Sequence, residues 1–177
     1  MVVKITYFVH GTTKDNIEHL ASGQNDAVLA EIGVEQAKEL ANLRKDSFDA
    51  IFSSDLIRAV DSAKLAFQVR CPILIDMRLR ECDYGDLTQK PKTWNIADYI
   101  SQKYPNGESY TDVEKRIAAF LDLLKENYAG KHIAIVAHQA PQLAIEVLIN
   151  KKTWQETIKE DWRPKKQWQP GWEYLLN

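Results

Sequence analysis

The sequence predicts a three-layer α/β/α sandwich on a mostly parallel central sheet. Short β-type runs alternate with amphipathic helices along the chain, the order that builds parallel βαβ units. The run "HIAIVAH" (132–138) is almost wholly apolar, as a central strand covered on both faces requires. Two runs end alike, in "YFVH" at His10 and "IVAH" at His138. A parallel sheet brings both histidines to one crevice beyond the carboxyl ends of its strands, where open α/β sheets bind ligands.

Each element follows from local chemistry. Ile5, Tyr7, Phe8 and Val9 favour a pleated, buried strand, and Gly11 breaks the run. A polar, Gly-containing loop follows from Thr12 to Asn25. Leu29, Ile32, Ala37, Leu40 and Leu43 recur at helical spacing and predict a helix from Ala30 to Arg44. "DAIFSS" (49–54) is a second strand, and "DLIRAVDSAKLAF" (55–67) a helix for which Ser54 or Asp55 is the expected cap. "CPILID" (71–76) is a third strand. Turn signals at Tyr84-Gly85 and Lys90-Pro91, with a helical stretch around Trp94 to Lys103, make 79–105 an insert that covers something. "ESYTDVEKRIAAFLDLLKENY" carries the strongest helical pattern: Val113, Ile117, Phe120, Leu121 and Leu124 share a face and Gly130 stops it. A helix from Pro141 to Asn150, a Trp-rich segment and a short strand "WEYLL" complete the pattern.

The 177 residues, 45% of them hydrophobic, suit one domain spanning 1–177. A net charge of -2 provides no basic field to hold a polyanion, so nucleic acid is not an expected partner. No apolar run approaches the ~18 residues of a membrane span, and "MVVKITYF" lacks signal-peptide form. A cytoplasmic protein without membrane association is expected. Cys71 and Cys82 lack C-x-x-C spacing, so reduced thiols are expected in place of a disulfide or a zinc site. In the tail, Trp162, Trp168 and Trp172 interleave with Arg163, Lys165 and Lys166. Packing on the domain is the leading reading there, over single-strand binding, pocket lining or self-association into a homodimer.

Between the two histidines, "SSDLIR" places Arg58 in the first turn of a helix that follows a strand, so its side chain can turn to the same sheet edge. Two imidazoles, an arginine and helix N-termini together make an anion site. In "LRECDYG", Glu81 precedes an aromatic-Gly turn and is a carboxylate available to protonate a leaving group. His19 and His132 lack such support and read as structural or surface residues.

These stretches resemble, in order, the motifs of the histidine phosphatases, the phosphoglycerate mutase-like superfamily. "VHGTTKDN" is similar to its opening Arg-His-Gly-x-Thr-x-x-Asn at His10, Gly11, Thr13 and Asn16. "DAVLAEIGVEQAKELA" matches Leu-Thr-x-x-Gly-x-x-Gln-Ala through Leu29, Gly33, Gln36 and Ala37, and "SSDLIRAVDSA" keeps Arg58 and Ala59. "LRECDYGDL", "PNGESYTDVEKR" and "IVAHQAP" resemble the acid-bearing loop, the Gly-Glu-Ser segment and the closing His-Gly strand. The resemblance implies a phosphomonoester hydrolase acting on a small phosphorylated metabolite. His10 is then the nucleophile that becomes phosphohistidine. Arg58 and His138 hold the phosphoryl oxygens, Gly11, Thr13, Asn16 and Gln139 line the phosphate site, and Glu81 is general acid and then base. No metal or cofactor is implied.

Val9 stands where the resemblance expects an arginine. Loss of one comparable transition-state donor costs on the order of 10²–10³ in rate. A compensating cation is therefore expected, with Lys14 on the same loop and Arg78 or Arg80 beside Glu81 as candidates. Thr12, Asp55 and Gln139 replace an acidic residue, a proline and a glycine. The alternatives are a phosphoryl-binding pseudo-enzyme and a phosphoglycerate mutase.

Overall fold

In the computed structural model, residues 1–43, 47–67, 71–161, 163 and 171–177 are described. One five-stranded sheet organises them, with strand order β3-β2-β4-β1-β5. The strands are β1 (Val3–Val9), β2 (Ala50–Ser53), β3 (Ile73–Ile75), β4 (His132–Ala137) and β5 (Trp172–Leu176). All pairings are parallel except the antiparallel β1–β5 edge, where Tyr7 lies opposite Trp172. The helices are α1 (Lys14–Ile17), α2 (Glu31–Leu43), α3 (Ile57–Phe67), α4 (Tyr110–Asn127), α5 (Gln139–Asn150) and α6 (Trp154–Glu160).

Strand alternation divides the core into two layers. Ile5 and Tyr7 of β1 and Ile133 and Ile135 of β4 pack with Ile117, Phe120 and Leu124 of α4 and Leu143 of α5. Phe8, Ile51, Ala134 and Val136 point the other way, onto Leu40 of α2 and Ala63 and Phe67 of α3. The result is the expected α/β/α sandwich. The inner strand β4 is buried at every position from Ile133 to Ala137. No helix among the described residues is long and apolar enough to cross a membrane.

Several boundaries differ from the sequence reading for identifiable reasons. The helix expected from Pro141 starts at Gln139, because Pro141 fits a first turn whose N–H groups have no intrahelical acceptor. Asp55 does not cap α3; its carboxylate pairs with Arg80 at 2.5 Å. The stretch from Trp94 to Lys103 forms only a short 3-10 turn, Ile96–Tyr99, because its aromatics serve tertiary packing. Tyr99 stacks on Tyr104 at 3.8 Å, and Trp94 Nε1 donates to the Tyr104 hydroxyl. Helices α1 and α6 interrupt segments read as loop and tail, each opened by a capping box, Thr13 with Asn16 and Thr153 with Glu156. Arg44, Trp162, Lys165, Lys166 and Trp168 lie outside the described residues.

Candidate active site

The strands β1 and β4 are neighbours in register, with Val9 opposite Ala137, so His10 and His138 follow at the same sheet edge. Their ring centroids lie 5.1 Å apart. Behind His10, two glycines let the chain turn sharply onto α2: a Cβ at Gly11 would collide with the Gly33 carbonyl, and one at Gly33 with the Thr12 backbone. The Gly11 N–H donates to Ser62 Oγ on α3. That loop is thus braced from two helices, and His10 has a fixed base.

The His10 ring is oriented by its own backbone. Nδ1 lies 2.7 Å from the Gly11 carbonyl oxygen, which can only accept, so Nδ1 carries the proton and Nε2 the lone pair. Arg58 Nε donates to that Nε2 at 3.3 Å. Burial, and next the Arg58 charge, push the His10 pKa down to about 3, so the imidazole is neutral at physiological pH. Such a ring is a competent nucleophile.

Arg58 is almost completely buried, and no carboxylate among the described residues pairs with it. Nη1 and Nη2 donate instead to the carbonyls of Asn25 and Gly23, at 2.7 and 2.6 Å. A buried guanidinium held by neutral oxygens is an unfavourable arrangement that an incoming anion relieves. His138 is fully buried, and burial holds its pKa well below the ordinary value. Its Nε2 is 2.6 Å from Ser54 Oγ, while its Nδ1 has no hydrogen-bond partner among the described residues. Ser54 Oγ already accepts from Leu56 N–H, which favours donation of its own proton to Nε2 and leaves Nδ1–H as the free donor.

Glu81 occupies the N-terminus of α5. Oε1 accepts from Cys82 N–H and Ala140 N–H, at 2.8 and 3.0 Å, and Oε2 from Gln139 N–H at 3.1 Å. His138, at the N-cap position, makes no side-chain cap, so Glu81 serves as one from another segment. The loop bearing Glu81 is clamped in turn: Arg116 donates to the carbonyls of Arg78 and Glu81 and pairs with Glu108. The Glu108 carboxylate also accepts from Asp83 N–H.

These groups surround a cavity of about 650 Å³ whose walls include Val9, His10, Asn16, Arg58, Glu81 and Gln139. A second cavity of about 570 Å³ shares Asn16, Leu20, Lys92, Gln139 and Arg163 with it and adds His19 and Trp94. Four residues proposed from sequence for catalysis are therefore together: His10, Arg58 and Glu81 in the wall, and His138 packed against His10. Asn16 lines the cavity with Oδ1 engaged by Thr13 N–H, which leaves its amide N–H groups to offer. Gln139 also lines it, but its backbone N–H is committed to Glu81.

Other expectations are corrected by position. Thr13 caps α1 and Gly11 braces the loop, and neither forms the cavity wall. Lys14 is exposed on α1. Arg78 chelates Asp76 and lies over the Phe120 ring, and Arg80 is tied to Asp55 and Gln24. None of the three cations named as a substitute for arginine at position 9 lines the cavity. The cations that do so beside Arg58 are Lys92 and Arg163. Lys92 donates to the Tyr84 hydroxyl at 3.4 Å and to Gln139 Oε1 at 3.2 Å. His132 is structural, its Nε2 lying 2.8 Å from Thr6 Oγ1.

A profile of the histidine phosphatase superfamily (branch 1) matches residues 7–159, a span that holds every cavity-lining residue named above but Arg163. The chain belongs to that superfamily. Among its relatives, an uncharacterised phosphatase of Bacillus subtilis, PhoE, is 32% identical over 133 residues, covering 74% of this chain and 69% of PhoE. The Escherichia coli protein GpmB, described as a probable phosphoglycerate mutase, is 30% identical over 142 residues, covering 73% of this chain and 66% of GpmB. The chain thus spans about two thirds of these relatives. A mycobacterial glucosyl-3-phosphoglycerate phosphatase, solved with VO3, superposes with a TM-score of 0.75 at 27% identity, over 89% of this chain and 86% of that one. Membership makes this histidine phosphatase an enzyme with the phosphoglycerate mutase-like fold.

Proposed function

We propose that the protein hydrolyses phosphomonoesters of small metabolites through a phosphohistidine at His10 Nε2. The observation that carries this reading is a neutral imidazole in the wall of a cavity that also holds a carboxyl group, its Nε2 accepting from a buried guanidinium that pairs with no carboxylate among the described residues. In the first step, the His10 Nε2 lone pair forms the N–P bond as the P–O bond to the alcohol breaks. Glu81 Oε2 gives its proton to the departing oxygen. In the second step, water attacks phosphorus, the Glu81 carboxylate accepts the water proton, and the N–P electron pair returns to His10. Inorganic phosphate is released. Arg58 and His138 Nδ1–H stabilise charge on the equatorial phosphoryl oxygens, where fixed donors are most effective.

A cytoplasmic site of action is part of the proposal, since Cys71 and Cys82 are both free thiols. The adjoining cavity gives the alcohol portion of a substrate room beyond the phosphoryl group. The test is hydrolysis of p-nitrophenyl phosphate, then of a panel of phosphorylated metabolites, with acid-labile phosphohistidine trapped by rapid quench. Turnover should persist in chelator, and His10→Ala should abolish both turnover and the trapped species. Absence of turnover by the wild-type protein across the panel would make it a binder, and an isomerised phosphoester in place of free phosphate would make it a mutase.

A further inference from the structure

We propose that Arg163, positioned by Gln139 through Asp161, is the second guanidinium on the transferring phosphoryl group and occupies the space left by the short side chain of Val9. The inference rests on the phosphatase reading of the same cavity. Its starting point is a shortage of donors. Arg58 commits Nη1 and Nη2 to the carbonyls of Asn25 and Gly23 and turns only Nε toward His10. A phosphoryl group in transfer spreads charge over three equatorial oxygens, and one arm of one arginine covers little of it.

Sheet geometry places Arg163 on the correct side. Side chains alternate along β1, so Val9 projects to the same face as Tyr7. Tyr7 is directly opposite Trp172 of β5 in the antiparallel register, which sets Trp172 on that face too. The Arg163 guanidinium lies over the Trp172 ring, 5.8 Å from its centroid, and forms part of the cavity wall with Val9 and His10. A guanidinium is therefore present on the face toward which position 9 points, although it arrives from the far end of the sequence. Lys92, the other added cation, is held at the Tyr84 ring and Gln139. Of the two, only Arg163 contributes to lowering the His10 pKa, which agrees with its placement nearer the nucleophile.

The tether is specific. Asp161 Oδ1 accepts from Arg163 Nη1 at 2.7 Å and from the Arg163 backbone N–H at 3.2 Å. Asp161 Oδ2 accepts from Gln139 Nε2 at 2.6 Å, and the Asp161 side chain is only 5% exposed. Gln142 Oε1 adds a contact to Arg163 Nη1 at 3.4 Å. A glycine at position 139 would have no side chain to hold Asp161. The glutamine and the valine, which look like two unrelated departures in sequence, become parts of one arrangement.

The test uses the full chain with inorganic vanadate as the probe, its affinity measured by calorimetry, and p-nitrophenyl phosphate as a substrate whose alcohol carries no second anion. Arg163→Ala should weaken vanadate at least tenfold and lower kcat by about 10²-fold, the scale of one lost transition-state donor. Arg163→Gln, which keeps a polar N–H donor without the charge or the full reach of arginine, should show the same loss and guards against misfolding of the alanine variant. Val9→Arg in the Arg163→Ala background should recover tenfold or more of the vanadate affinity. Gln139→Ala should weaken vanadate in the wild type and have no further effect once Arg163 is absent, a coupling that a merely structural role would not give. Wild-type vanadate affinity and turnover in both Arg163 variants would overturn the proposal, including the case in which only substrates with a second anionic group are impaired. Failure of the double variant to recover affinity would also overturn it. Vanadate binding is read without turnover, so loss of the phosphatase reading remains distinguishable from loss of this one.

Discussion

Glu81 and Ala140 are joined by a 3.0 Å hydrogen bond from the Ala140 N–H to Glu81 Oε1, which makes the candidate acid also the cap of α5. Oε1 takes two backbone donors and Oε2 one, so Oε2 is the oxygen with spare capacity for a substrate. Glu81→Gln keeps an acceptor for the helix and loses the transferable proton. Turnover should fall by about 10²–10⁴, the range for general acid catalysis, and fall more for alkyl than for aryl phosphates. A leaving-group series in wild type and variant measures this, and equal loss for every leaving group would remove Glu81 from the acid role.

The clamp behind that carboxylate is a separate matter. Arg116 ties together the carbonyls of Arg78 and Glu81 and the Glu108 carboxylate. Arg116→Met takes a donor from three partly buried acceptors, of which the Glu81 carbonyl keeps Gln24 Nε2 and the Glu108 carboxylate keeps the Asp83 N–H, and should cost about 1–3 kcal/mol by urea unfolding. It should also lower kcat, because the Glu81 loop is no longer fixed. Unchanged kcat with reduced stability would show that the Glu81 loop keeps its position without the arginine.

Gly33 offers a test of sign. It lies in α2, where helix propensity alone makes Gly→Ala stabilising by about 1 kcal/mol. The Cβ would collide with the Thr12 backbone beside His10, so Gly33→Ala should be destabilising by about 1–3 kcal/mol, the range for overpacking, with loss of activity. A higher melting temperature in this variant would contradict the close approach.

Stability should depend on pH through the two site histidines. Both His10 and His138 titrate below the unfolded value of about 6.5, because burial disfavours their charged forms. The unfolded chain then binds protons that the folded chain does not, so their contribution is complete above about pH 6.5. It is lost as pH falls toward the folded value, about 3 for His10. Each contributes a slope of about 1.4 kcal/mol per pH unit within that window. Urea midpoints from pH 7.5 to 4.5 should show a shallower decline in His138→Gln than in the wild type. An identical slope would place the proton uptake elsewhere.

The crevice with its paired histidines was legible because strand ends and parallel order are local signals that a sheet converts into proximity. Arg58 was legible for the same reason, in the first turn of the helix after β2. Position in sequence failed for Lys14, Arg78 and Arg80: closeness to His10 or Glu81 along the chain says nothing about which carboxylate each cation meets, and Asp76 and Asp55 took two of them. Arg163 was hidden in a tail whose aromatic-basic alternation suggested packing, because its aim depends on Asp161 and on Trp172 from β5. The pattern Thr153-x-x-Glu156 did announce α6, and a closer reading for capping boxes would have found it.

Among the described residues, the strand that leads into His10 pairs only with β4 and β5, and Thr6 already waits 126 residues for His132. At about 5–20 residues per second of synthesis, β1 spends roughly 6–25 s without either neighbour. During that interval an apolar strand with two open edges leaves the ribosome, a hazard for pairing between nascent chains. Chaperone demand in this protein should therefore concentrate on β1.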